Sequence, residues 1–258
     1  MAAKSKLTYP DDYHEIATVP SKPVIVGGQA VNLWSALYLP GADEKNYGSK
    51  DMDLLSSSEV LQELSKLPGW AFTRIPLWAF GDIRHAIMDK HTPDGKHLHV
   101  EILHKIKGLE KADFNAPVKV IFNGAAYHVL DPVVLLKAKA ANVRHFPQDG
   151  PDPRNDLEHF HLLVKIIPEY LRDIHEQARI DALPAAVVEK TLGNLFKTMQ
   201  NKHVAGVLNR ELVAPDALVP REFSDSFSAK IRRALIHQMS FTRKCVANAK
   251  FKAGPGYQ

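Results

Sequence analysis

The chain has 258 residues, of which 45% are hydrophobic and 24% charged, with 33 Lys and Arg against 29 Asp and Glu. That suits one large or two small globular domains rather than a disordered or fibrous protein. No apolar run approaches the roughly 18 residues of a membrane helix, residues 1–15 carry no apolar signal core, and the single cysteine, Cys245, permits no internal disulfide, so a cytoplasmic protein with no membrane partner is expected.

The first strong signal is Val24-Ile25-Val26-Gly27-Gly28-Gln29-Ala30, read as a buried strand over 24–27, a tight turn and a helix over 29–39. Glycines lack Cβ atoms, so this turn can bring backbone close to a ligand. The helix behind it aims its first N–H groups at an anion. A polar insert over 40–50 leads to Lys50-Asp51-Met52-Asp53-Leu54-Leu55, a strand over 51–55. Alternation places Asp51 and Asp53 on one face and Met52 and Leu54 on the other. Two carboxylates so placed suit Mg²⁺, which takes oxygen ligands and commonly sits between carboxylates and substrate phosphates.

A helix over 58–66 and a strand over 70–76 follow. Strands over 82–89 and 97–104 flank Pro93-Asp94-Gly95, which is turn chemistry, so residues 83–103 read as a hairpin. In the second of these strands Leu98, Val100 and Ile102 make the apolar face, and His97, His99, Glu101 and Leu103 make the other. Glu101 becomes a third metal-capable acid if this strand lies beside the Asp51–Asp53 strand. It would bind a second metal or accept a hydroxyl proton; an edge-strand surface glutamate has the same pattern. His97 and His99 invite a zinc reading, but zinc needs three or four ligands and no cysteine or second tight cluster completes the set.

Strands over 117–122 and 126–130 end the strand-rich half. Beyond residue 130 the pattern is helical, over 131–143, 155–166, 168–180, 184–200, 203–210 and 226–248, with a Pro/Gly loop at 145–153. The expected organisation is an α/β (α+β) catalytic domain over 1–130 and an all-helical domain over 131–258. Asp131-Pro132 reads as an N-cap with proline at the first helical position. Lys139 on that helix is a candidate phosphate contact, and Asp156 is a candidate cap or partner for Lys139. The net charge is uneven: residues 221–258 hold eight Lys and Arg and two Asp and Glu. Lys230, Arg232, Arg233, Arg243, Lys244, Lys250 and Lys252 are therefore candidates for nucleic-acid phosphates; a solubilising face has the same composition.

Taken together, Gly27-Gly28, Asp51, Asp53 and Glu101 resemble the polymerase-beta-like nucleotidyltransferase superfamily, most nearly the bacterial AbiEii-type toxin group. Leu136 and Lys139 resemble that group's Leu-x-x-Lys helix, and Asp156-Leu157 its Lys-Asp-leucine helix start. The resemblance covers roughly residues 20–170. It implies a nucleotidyltransferase-like mixed sheet with flanking helices, an NTP substrate, and catalytic and metal roles for Asp51, Asp53 and Glu101 with Mg²⁺, of the two-metal type. It implies nucleotide binding by Gly27, Gly28, Gln29, Lys139 and Asp156. The acceptor hydroxyl would belong to tRNA or another RNA, with an antitoxin protein as partner. A small-molecule, antibiotic-type nucleotidyltransferase and an inactive binding protein of the same fold are the competing readings. The chain departs from the pattern in four places. Gly28 stands where relatives carry serine, leaving Gln29 or a backbone N–H to meet phosphate. The Gly28–Asp51 gap is long, the third acid is Glu, and Asn155 replaces a lysine.

Overall fold

A computed structural model of the protein describes residues 8–39, 41, 49–76, 82–114, 117–149, 154–223 and 229–253, with backbone only for 229–231. The chain divides into two compact units, Met1–Asp131 and Pro132–Gln258. Most of the 40–50 insert, the end of the 145–153 loop, the expected first turn of the last helix at 226–228, and residues 254–258 lie outside the described residues. No helix among the described residues is long and apolar enough to cross a membrane.

The first unit is built on one mixed sheet. Its strands are β1 (Val24–Val26), β2 (Met52–Leu55), β3 (Ala71–Arg74), β4 (Arg84–His91), β5 (His97–Leu103), β6 (Val118–Phe122) and β7 (Ala125–Val129), in the order β3-β4-β5-β2-β1-β7-β6. β1 runs antiparallel to β2 and parallel to β7, and β2 runs parallel to β5. The β4–β5 hairpin forms as its Pro-Asp-Gly turn demands.

Register follows from alternation. Ile25 pairs with Leu54, Met52 with Val100, Leu54 with Ile102, and Met88 with Val100. All six of these side chains are fully buried, so they form one apolar face. A slip of one residue would turn that whole set toward water, so the buried face fixes the register. The same register brings Val26, Asp53, Glu101 and Ile87 into one row across β1, β2, β5 and β4 on the opposite face.

Three helices accompany the sheet: α1 (His14–Ala17), α2 (Gly27–Tyr38) and α3 (Ser58–Leu64). Helix α2 starts at Gly27, two residues earlier than the sequence suggests, because the chain turns directly out of β1. Its Ala30, Val31, Leu33 and Trp34 are buried, and the Trp34 indole N–H donates to the Leu130 carbonyl at 2.9 Å. Helix α3 is capped by Ser57, whose hydroxyl accepts from the Val60 amide at 3.2 Å.

The second unit is helical: α4 (Pro132–His145), α5 (Asp156–Arg179), α6 (Ala185–Gln200), α7 (Lys202–Arg210) and α8 (Ala229–Asn248). Helix α4 is apolar on most of its circumference, with Val133, Leu135, Leu136, Ala138, Ala140, Ala141 and Val143 buried, as expected of a helix surrounded by others. It packs against α5, α6 and α7. The expected break near Pro168 does not occur; α5 runs 24 residues straight through it. A proline inside a helix costs about 3 kcal/mol. The stripe Phe160, Leu163, Ile166, Ile167, Tyr170, Leu171 and Ile174 is buried on both sides of it. Each such side chain contributes about 1.5–3 kcal/mol, so packing outweighs the lost bond.

Trp34→Phe keeps an aromatic ring, gives up part of the indole's volume and leaves the Leu130 carbonyl without its donor. Urea unfolding is expected to show a loss of about 1–3 kcal/mol.

Candidate active site

The candidate site starts at the β1–α2 turn. Gly27 has φ +66°, a left-handed conformation that favours glycine. A Cβ built there would lie 1.8 Å from Asp53 Oδ2 and 2.7 Å from its carboxyl carbon. The Asp53 carboxylate therefore lies against the Gly27 backbone, in the space a side chain would fill. Gly28 is buried in the first turn of α2, and Val26, the residue at the N-cap, offers no side-chain cap. Gln29 is fully buried, and its amide donates to the Thr8 carbonyl at 3.0 Å and the Thr8 hydroxyl at 3.3 Å. Thr8 in turn bonds the Tyr13 phenol at 3.0 Å, and that phenol donates to the His99 carbonyl at 3.2 Å. Burial pushes the Tyr13 phenol up to about 12. Thr8 and Tyr13 thus tie the start of α2 to β5.

The carboxylates come from two strands. Asp51 precedes β2 and accepts from Ser49 Oγ at 3.4 Å; Asp53 sits within β2 with its Cα opposite Glu101 on β5. The conditional expectation that Glu101 neighbours the aspartate strand is met at the level of register. Asp51 and Asp53 are both half-buried, and the Asp53 carboxylate fills the space that a side chain at position 27 would take. Two hard oxygen donors of this kind fit Mg²⁺.

Glu101 is more committed. Its Oε1 accepts from Arg84 Nη1 at 2.9 Å and lies 3.8 Å from His99 Nε2. Arg84 also grips Asp82 with Nε to Oδ1 at 2.9 Å and Nη2 to Oδ2 at 2.8 Å. The Arg84 guanidinium holds the Asp82 carboxyl down at about 2. Glu101 therefore shares one cation with another carboxylate, and metal ligation by Oε1 would require Arg84 to yield.

Lys139 and Asp156 form a constellation inside the helical unit. Lys139 Nζ donates to Asp156 Oδ1 at 2.9 Å, Asn142 Nδ2 donates to the same oxygen at 3.1 Å, and Arg154 Nε donates to Oδ2 at 2.7 Å. Lys139 and Asp156 are both buried. Burial pushes the Asp156 carboxyl up, but the Lys139 and Arg154 cations outweigh it and hold it well below the usual carboxylate range. Within this unit the pair locks α4 to the first turn of α5. Nearby His159 is buried with Nδ1 unpartnered; burial, then Lys139, pushes its imidazole down to about 3.

The basic C-terminal stretch is partly neutralised. Arg243 Nε donates to Asp216 Oδ2 at 2.8 Å, while Arg232, Arg233 and Lys244 are exposed on α8.

Sequence reasoning missed Arg84, Asp82 and Asp89. The signal was available in the hairpin. Counting pairs outward from the Pro93-Asp94-Gly95 turn sets His91 opposite His97, Asp89 opposite His99 and Ile87 opposite Glu101. Asp89 Oδ1 is 2.8 Å from His97 Nε2 and 2.7 Å from His99 Nδ1. Among the described residues, these three are the group whose potential ligand atoms all lie within 4.8 Å of one another. The expectation that nothing completes a cluster around His97 and His99 is thus corrected: cross-strand pairing supplies an aspartate that linear spacing conceals.

No protein-family model and no curated protein matches the chain. Among solved structures it is similar to an antigenic nucleotidyltransferase-like protein from Paracoccidioides brasiliensis. The identity is 14%, 96% of this chain and 97% of that chain are covered, and the TM-score is 0.45.

The buried polar cluster makes stability depend on pH. His159 has its folded value depressed, so its contribution is complete above about pH 6.5 and declines as pH falls toward 3. Asp156 adds a second loss below about pH 4, for the same sign of shift. His159→Leu is expected to flatten the fall in thermal midpoint between about pH 6.5 and 4 and to leave the steeper fall below that. An unchanged profile would contradict this assignment.

Proposed function

We propose that the protein transfers a nucleoside monophosphate from an NTP to an acceptor hydroxyl, with Asp51 and Asp53 as the metal-holding pair. The observation that carries this reading is the Asp53 carboxylate seated against the Gly27 backbone at the start of α2. One residue step thus joins an anion-binding helix start to a cation-binding carboxylate.

Asp51 and Asp53 hold the divalent cation, which when bound neutralises phosphate charge and favours in-line displacement. The first-turn N–H groups of α2 receive the triphosphate, and the lack of a side chain at Gly27 admits the Asp53 carboxylate beside them. The acceptor oxygen forms a bond to the α-phosphorus as the bond to the pyrophosphate oxygen breaks. Glu101, in register with Asp53, takes the hydroxyl proton, and Arg84 keeps it oriented. Gln29 serves by bracing the helix start through Thr8 rather than by touching phosphate. Lys139 and Asp156 serve the packing of the helical unit. Most of the rate enhancement comes from positioning and electrostatics.

For the acceptor, the basic helix α8, with Arg232, Arg233 and Lys244 exposed along it, favours RNA, such as a tRNA end, over a small cationic compound, because basic side chains suit phosphates.

Incubation with each α-phosphate-labelled NTP, Mg²⁺ and total tRNA is expected to label RNA. Asp51→Asn/Asp53→Asn should reduce labelling by at least about a thousandfold, because it removes both charges that would hold the cation. Gly27→Ala should also abolish it, since the added Cβ displaces Asp53. Labelling that persists in the double variant would sink the catalytic assignment.

A further inference from the structure

The Asp89, His97 and His99 cluster lies outside the machinery just described. We infer that it is a second metal site, selective for a divalent transition metal of the zinc type and distinct from the site formed by Asp51 and Asp53.

The donor set differs in kind. Imidazole nitrogens suit Zn²⁺ and its neighbours, whereas Mg²⁺ prefers oxygen alone. Two histidines and one carboxylate are a common first shell for such ions, with remaining positions open to water.

The backbone builds the arrangement. His97 and His99 are two apart on β5, so their side chains leave the same face. Asp89 stands directly across from His99 on β4. Its Oδ1 lies 2.8 Å from His97 Nε2 and 2.7 Å from His99 Nδ1. Zinc bond lengths near 2.0–2.1 Å put neighbouring tetrahedral ligands about 3.3 Å apart. Asp89 Oδ1 therefore needs to move about half an ångström from each of the two ring nitrogens, which side-chain rotation supplies. All three side chains are at least a quarter exposed, so an ion reaches them from solvent.

His91 and Glu101 flank the two rings. His91 stacks on His97 with centroids 4.7 Å apart and planes 20° off parallel. Glu101 Oε1 lies 3.8 Å from His99 Nε2, the ring nitrogen opposite the proposed metal-binding one. Glu101 thus stands between the two sites, facing Asp53 across the strands and His99 along its own.

The test uses the full chain, freed of metal with a chelator and titrated with ZnCl2 by calorimetry, then with CoCl2 to read visible absorption. One Zn²⁺ per chain is expected, with a cobalt spectrum showing imidazole ligation. His97→Gln/His99→Gln should weaken Zn²⁺ binding by about a hundredfold or more, beyond the range typical of an outer-shell change. Asp89→Asn should weaken it less. Asp51→Asn/Asp53→Asn should leave it within about twofold and still lose NMP transfer, so failure of either site is read separately. Circular dichroism confirms that each variant is folded. Absence of Zn²⁺ binding by the wild-type chain, or equal binding by the histidine variant, would overturn the inference.

Discussion

The contact between the Asp53 carboxylate and the Gly27 backbone is the constraint on which the rest of the site depends. It requires no side chain at position 27, and the positive φ there requires the same thing independently. It requires β2 to lie beside β1 in the register that sets Val26 opposite Asp53. It also requires the chain to leave β1 straight into α2, so that the helix start and the carboxylate share one location. Backbone conformation and sheet register therefore converge on a single atom-sized space.

The sheet supports this by being two-faced. Ile25, Met52, Leu54, Met88, Val100 and Ile102 take one side into the core, which obliges Asp53, Glu101, Asp89 and His99 to the other. A row of acids on one surface repels itself, and the structure answers with cations and proton-bearing rings. Arg84 spans Asp82 and Glu101, and His97 and His99 flank Asp89. The helical unit meets the same problem inside its core, where Lys139 and Arg154 both serve Asp156. Breaking one member of such a buried pair costs more than the pair contributes, because the other charge is left unpaired.

The parts legible in the sequence were those with local causes. Val24 to Gly28 gave a strand and a turn through apolar content and glycine freedom, and alternation along β2 set Asp53 opposite in facing to the buried Met52 and Leu54. The Pro93-Asp94-Gly95 turn gave the hairpin. The helix-rich second half showed in its apolar spacing. What escaped depended on neighbours distant in sequence. Gln29 was free to meet phosphate as a sequence, but its amide is taken by Thr8. Pairing of Lys139 with Asp156 was legible as an expectation, but the burial of both was not, because neighbouring helices of the same unit supply it. Pro168 signals a break locally, and the apolar stripe running past it overrides that signal. Asp89 gains meaning only from the strand beside it.

The central claim is that Asp51 and Asp53 hold a divalent cation beside the triphosphate at the start of α2. Crystals grown with Mn²⁺ and an NTP whose α,β-bridging oxygen is replaced by methylene would test it directly through anomalous scattering. The prediction is a manganese peak bridging the Asp51 and Asp53 carboxylates and the phosphates, with the triphosphate against Gly27 and Gly28. Ordered nucleotide elsewhere, or manganese at Asp89, His97 and His99 with none at Asp51 and Asp53, would contradict it.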